Sequence, residues 1–500
     1  MVTTISLFVN SLVEVLNFST LIIGSLGALM GVVIGALPGL GPSAGVALLL
    51  PVTLKMNSDQ ALIMIVSLYV GASFGGRISS ILANIPGDSA AVATTFDGYP
   101  MTLKGEAGVA LSISAFSSFI GGMIGIIIAV LSGNVIAGYA LKFGPPEYFA
   151  VMVFAIGATS ILAGKNKIKG IIMTMIGLIL AMVGLDYVSG QNRLTYGIIH
   201  LELGIDFLVI VMGMFAVGEI LRQIYNKTEV VFKQDKFKLK ELFPEKSIWK
   251  RVNLPILRAS FLGFIVGILP GAGATPATFL TYATEKKLAK HPEDWGKGAP
   301  EGVSSVEAAN NGASVGALLP MLSLGIPGSG TTAVILGALI MWGFKPGPLL
   351  VTQHPQMYWG LFAALFLVNI ILLIMNIGFI PGFVWILKAA QKYFYAIIGC
   401  ITIIGVYSIN NRISDLIIMM IIGLAAYYLR RASFPVGPLV LSVVLGPKLE
   451  ASLRQSLIMS NGDFGVFFDR PISGVVLVIT FLIWLYILIT FFLRSKRKAY

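Results

Sequence analysis

Gly35-Ala36-Leu37-Pro38-Gly39-Leu40-Gly41 returns in the second half of the chain as Gly267-Ile268-Leu269-Pro270-Gly271-Ala272-Gly273, identical at 5 of 7 positions. Each copy follows an apolar stretch and carries helix-breaking residues. Proline removes a backbone donor and clashes with the preceding turn. In lipid, every freed carbonyl needs a partner from the protein or from a watery cavity. Paired interruptions at corresponding places in two halves point to a binding site inside a membrane transporter.

A second motif extends the register. Gly71-Ala72-Ser73-Phe74-Gly75 aligns with Gly312-Ala313-Ser314-Val315-Gly316, and Ile85-Pro86-Gly87-Asp88 with Ile326-Pro327-Gly328-Ser329. Over residues 71–92 against 312–333, 7 of 22 positions are identical. The offset is 232 at the first motif (267−35) and 241 at the second (312−71), so the second half holds nine extra residues between its motifs. They are expected in the polar stretch near Glu285 to Ser305. Each half therefore reads as span, Gly-Pro break, span, Pro-Gly break and further spans.

Composition agrees. With 500 residues, a mean hydropathy of +0.88 and 12% charged residues, the chain is too apolar to cover a soluble surface. Runs such as 205–221 and 475–493 are too long for barrel strands, which alternate over about 10 residues. The expected fold is an all-α polytopic membrane protein of roughly 10–12 transmembrane helices, with two internal repeats, inverted, containing re-entrant or broken helices. The segments are 1–16 (interfacial), 17–221 (first half), 222–258 (linker), 259–493 (second half) and 494–500 (basic tail). The linker carries ten Lys/Arg, which marks it and the tail as cytoplasmic. The single cysteine, Cys400, excludes an internal disulfide or cysteine metal cluster, and the three histidines lack metal-ligand spacing. Neither a Gly-x-x-x-x-Gly-Lys-Ser/Thr segment nor a nucleophile-base pattern is present, so neither ATP hydrolysis nor enzymatic catalysis is expected. The positive net charge lies between spans and is no nucleic-acid signature.

Candidate site residues follow from the breaks. Pro38, Gly39, Ser43, Asn84, Pro86, Gly87, Pro270, Gly271, Thr275, Pro327 and Gly328 frame a substrate site, where helix N-termini favour an anion. Arg77 joins them as a charge in an apolar stretch, which costs about 2.5–3.5 kcal/mol at the bilayer centre. It is expected to grip a carboxylate, the alternative being an arginine that snorkels or pairs with Asp88 or another internal acid. Asp88, Ser89, Asn310, Asn311, Ser329, Thr331 and Thr332 supply hard oxygen ligands for a coupling cation, Asn310 and Asn311 standing near Glu307. Capping and packing are the competing reading for each small polar residue alone. Asp97-Gly98-Tyr99-Pro100 reads as a turn.

These motifs resemble the large membrane subunit of tripartite tricarboxylate transporters, the TctA family. The matching stretches include 35–51, Asn84-Ile-Pro-Gly-Asp88, Asp97-Gly-Tyr-Pro100, 142–149, Glu307-Ala-Ala-Asn-Asn311, Leu324-Gly-Ile-Pro-Gly328, Tyr407-Ser-Ile-Asn410 and 444–450. The resemblance implies a secondary transporter importing citrate-like di- or tricarboxylates by symport with Na+ or H+, and no other cofactor. It implies a small TctB-like membrane subunit and a periplasmic TctC-like solute-binding protein as partners, in the inner membrane of a bacterial or archaeal cell. A homodimer is a further expectation. Arg77 stands where similar proteins often carry serine, and Asp88 where glutamate is common. The alternative function is a cation channel or a cation-only transporter.

Overall fold

The computed structural model describes residues 2–37, 40–140, 143–162, 167–186, 190–226, 244–379, 382 and 394–497. The described chain is helical apart from one short antiparallel pair, Gly184–Leu185 with Asn192–Arg193. Among the described residues, six helices are long and apolar enough to cross a membrane, and five further apolar helices are shorter. The protein is an all-α, multi-pass membrane protein. Several shorter helices adjoin the Pro-Gly interruptions, because each break divides a stretch that would otherwise span.

The two halves begin alike. Helix Phe18–Ala36 starts on Asn17, whose side chain accepts the Thr20 N–H, and Lys246–Ile268 opens the second half. The residues that end them, Leu37 and Leu269, are both extended. Both precede proline, which disfavours the helical region for its neighbour. Positive φ follows at Gly41 (66°) in one half and at Gly273 (62°) in the other. Helices Gly41–Thr53 and Ala274–Leu288 then lead away.

Next come two central helices, Ser58–Ala83 and Pro300–Leu324, buried over nearly their whole length. Each crosses its own half's first helix at glycines. A Cβ on Gly35 would lie 2.2 Å from the Ala72 carbonyl oxygen, and one on Gly267 2.3 Å from that of Ala313. Gly75 meets Val32 in the same way, and Gly316 meets Phe264. Under the offsets 232 and 241 these are the same contacts in the two halves. Small residues allow this approach, and close packing replaces the hydrophobic drive that lipid cannot provide. Both central helices end on a left-handed residue, Asn84 (φ 58°) and Gly325 (φ 71°), again 241 apart.

The nine extra residues fall where the polar composition placed them. The connection 54–57 of the first half corresponds to 289–299 in the second, and the preceding helix is two residues longer. Two local readings change. Asp97-Gly98-Tyr99-Pro100 is no turn: it lies inside helix Val92–Leu103, with Asp97 fully buried. The reason is tertiary. Asp97 Oδ1 accepts the N–H groups of Gly296, Gly298 and Ala299 at 2.8–2.9 Å, and Oδ2 accepts the Tyr282 hydroxyl at 2.9 Å. The polar stretch 222–258 also contains structure, since helix Lys246–Ile268 begins well inside it and Gly218–Asn226 reaches into its start. The N-terminal helix Val2–Val15 packs on Pro355–Gly378, with Phe8 edge-on to Phe366.

Candidate functional site

The four breaks converge on a cavity of about 400 Å³. Its floor is made by the two central helices through Tyr69, Ser73, Asn310 and Ser314. The contacts there are reciprocal. Tyr69 donates to the Ser314 carbonyl (3.2 Å) and Asn310 Nδ2 to the Ser73 carbonyl (3.4 Å), while Ser73 Oγ and Ser314 Oγ bond each other at 3.1 Å. Tyr69 and Asn310 are 241 apart, as are Ser73 and Ser314. A residue and its counterpart exchanging contacts is the pattern found across a two-fold axis.

The sides are crossed in the same sense. Ser43 Oγ, after the first half's first break, meets Thr331 Oγ1, after the second half's second break, at 2.8 Å. Thr275 Oγ1 meets Ser89 Oγ at 2.8 Å, joining the remaining two breaks. Four helices of at least 12 residues start at the cavity wall: Gly41–Thr53, Ala274–Leu288, Gly330–Met341 and Gly437–Met459. Their first turns lack intrahelical acceptors for the N–H groups they carry and hold partial positive charge. Gly330–Met341 is closed by a capping box in which Ser329 and Thr332 bond each other's backbone and side chain.

Of the residues singled out in the sequence, Ser43, Asp88, Ser89, Gly271, Thr275, Asn310, Ser329 and Thr331 line the cavity. Pro38 and Gly39 lie outside the described residues. Asn84, Pro86, Gly87, Pro270, Asn311, Pro327, Gly328 and Thr332 do not line it. Gly87 and Gly328 serve the frame instead. A Cβ on Gly87 would lie 2.1 Å from the Gly35 carbonyl oxygen, and one on Gly328 2.6 Å from that of Gly267. Asn311 donates to the Glu307 carbonyl one turn back, and Glu307 itself accepts Thr94 (2.5 Å) and Ser118 (3.1 Å).

Arg77 is fully enclosed away from the cavity. Its Nε donates to the Phe74 carbonyl (2.8 Å), Nη1 to Ser114 Oγ (2.9 Å) and Nη2 to Asn376 Oδ1 (2.9 Å). The guanidinium lies 5.1 Å from the Phe74 ring centroid. Arg430, which the sequence did not single out, does line the cavity, together with Phe215 and Val436-Gly437. Sequence offers a weak signal for it. An arginine beside Arg431 at the end of an apolar helix reads as a topology marker.

Residues 21–441 match the tripartite tricarboxylate transporter TctA family. The chain belongs to that family. The matched span includes all four breaks and every wall of the cavity. An uncharacterized 52.8 kDa protein in the TAR-I ttuC' 3'region of Agrobacterium vitis is 39% identical over 455 residues, 91% of this chain and 90% of that protein. An uncharacterized protein in the TAR-II ttuC' 3'region of the same organism is 40% identical over 212 residues, 42% of this chain and 88% of that protein. No solved structure matches this TctA-family chain.

Proposed function

We propose that this chain is the carrier subunit of a secondary transporter that takes up small di- or tricarboxylates, and that the anion binds in the cavity between the four breaks. The observation that carries this reading is the convergence of four helix N-termini on one cavity between two halves. Such ends stabilise negative charge, and transporters built from discontinuous helices use them for anionic substrate groups. Family membership supports carboxylate chemistry and the two expected partners, a small membrane subunit and a periplasmic binding protein.

The coupling ion, Na+ or H+, is assigned to the oxygen-rich side of the same cavity, at Asp88, Ser89, Ser329 and Thr331. The site's two halves are assigned opposite orientation in the inner membrane. Charge supports this: residues 1–54 contain no Lys or Arg, whereas the second half's first helix opens with Lys246, Lys250 and Arg251. Arg77 is assigned a bracing role, because all three of its nitrogens already donate to protein acceptors.

Gly437 provides the test. It lines the cavity, and a Cβ built there meets nothing within 4 Å. Gly437→Phe should therefore fill the cavity without disturbing the backbone. The purified protein in nanodiscs is titrated with citrate and succinate, with and without sodium. The reading expects carboxylate binding by the wild type and its loss in Gly437→Phe at unchanged melting temperature. Undiminished binding in the filled variant would place the site elsewhere.

A further inference from the structure

Among the described residues, the charged side chains lining the cavity are Asp88 and Arg430. Asp88 accepts the Ala91 N–H at 2.9 Å, just before helix Val92–Leu103. Arg430 stands at the end of helix Ile413–Arg431, which packs on the π-helical turn Met212–Val217. Small residues bring these two elements together. A Cβ on Gly213 would lie 2.7 Å from the Met419 carbonyl oxygen, and one on Gly218 3.0 Å from Ala426 Cβ.

Arg430 is held but not neutralised. Its Nη1 donates to Glu219 Oε2 (3.0 Å) and its Nη2 to the Met214 carbonyl (3.1 Å), with Phe215 stacked 5.5 Å from the guanidinium carbon. Glu219 is fully buried, and its other oxygen takes two hydrogen bonds from Arg222, at 3.0 and 2.8 Å. Two guanidiniums thus share one carboxylate, and Arg430 is the one of the two that lines the cavity. The Nε of Arg430 is buried with no hydrogen-bond partner. That atom is sealed from the cavity, whereas Nη1 and Nη2 each keep a second N–H that none of these bonds uses, and an incoming carboxylate supplies an acceptor for them.

We propose that Arg430 grips a second carboxylate group of the transported anion and so selects di- and tricarboxylates over monocarboxylates. The proposal rests on the reading of the cavity as the anion site. One carboxylate lies at the helix N-termini, and the other reaches across to the remaining N–H groups of Nη1 and Nη2 of Arg430. Phe215 and Glu219 fix the guanidinium plane, so the distance between the two positions measures the length of the substrate.

The test is calorimetric titration of the full chain in nanodiscs with succinate, citrate and lactate, using wild type, Arg430→Gln and Arg430→Lys. A hydrogen bond to a charged group predicts that succinate and citrate weaken by about 10- to 100-fold in Arg430→Gln. Lactate, held at the helix N-termini, should weaken far less. Arg430→Lys keeps the charge beside Glu219 but lacks the paired N–H groups of the guanidinium, so it should also lose preference for succinate over lactate. If Arg430→Gln does not fold, Arg430→Lys decides. An unaltered succinate-to-lactate ratio, or equal loss of all three ligands in a folded variant, would overturn the assignment. A wild type that binds none of the three would overturn the anion-site reading itself, and this proposal with it.

Discussion

Asp97→Ala should be among the most destabilising single changes in this protein outside the glycine crossings. Its carboxylate is fully buried and accepts four hydrogen bonds, three from the backbone of 296–299 and one from Tyr282. A hydrogen bond to a charged group contributes about 1.5–3 kcal/mol. The four do not add in full, because Gly296 lies at the surface and its N–H can turn to water, whereas Ala299 is buried. Counting the equivalent of two lost bonds predicts about 3–6 kcal/mol for Asp97→Ala. Asp97→Asn keeps an acceptor for the three N–H groups but loses the charge and sets an amide donor against the Tyr282 hydroxyl, which can turn to accept it, so about 1–2 kcal/mol is expected. Thermal unfolding of the solubilised protein, followed by tryptophan fluorescence, suits this site. Trp295 is buried with its ring 5.0 Å from that of Tyr282 and reports the local environment. Asp97→Ala unfolding no earlier than Asp97→Asn would refute the reasoning, since the ranking follows directly from orphaned donors.

Gly35→Ala and Gly267→Ala place a methyl group 2.2 and 2.3 Å from a backbone oxygen, so each should destabilise by about 1–3 kcal/mol in the same unfolding assay. A tolerated alanine at either position would mean that the helices do not cross so closely. Arg77→Met removes three buried hydrogen bonds and should lower the melting temperature, while citrate affinity in the folded fraction stays at the wild-type value. Loss of affinity at unchanged stability would return Arg77 to the site.

The breaks, the register between the halves and the place of the nine extra residues were legible because proline and glycine act locally. Leu37 and Leu269 are extended for the same reason, and that reason is visible in five matching letters. The hydroxyls of Ser43, Thr275, Ser89 and Thr331 were legible as a cluster for their closeness to those breaks. Their crossed pairing was not, because it depends on how the halves meet. Arg77 was correctly seen as a buried charge, but its acceptors Ser114 and Asn376 lie 37 and 299 positions away, and no local pattern links them. Asp97 misled for the opposite reason. Asp-Gly-x-Pro has strong turn chemistry, and three N–H groups about 200 residues later override it. Arg430 was hidden by resemblance to an ordinary flanking basic residue. Its significance comes from Glu219 and the cavity, which only the packing of Ile413–Arg431 against Met212–Val217 brings to it.

The most direct measurement is a cryo-EM structure of the protein with a bound dicarboxylate. The account predicts ligand density between the first turns of Gly41–Thr53, Ala274–Leu288 and Gly330–Met341, with one carboxylate at those helix ends and the other at Arg430. Density in another part of the molecule, with this cavity unoccupied at saturating substrate, would contradict it.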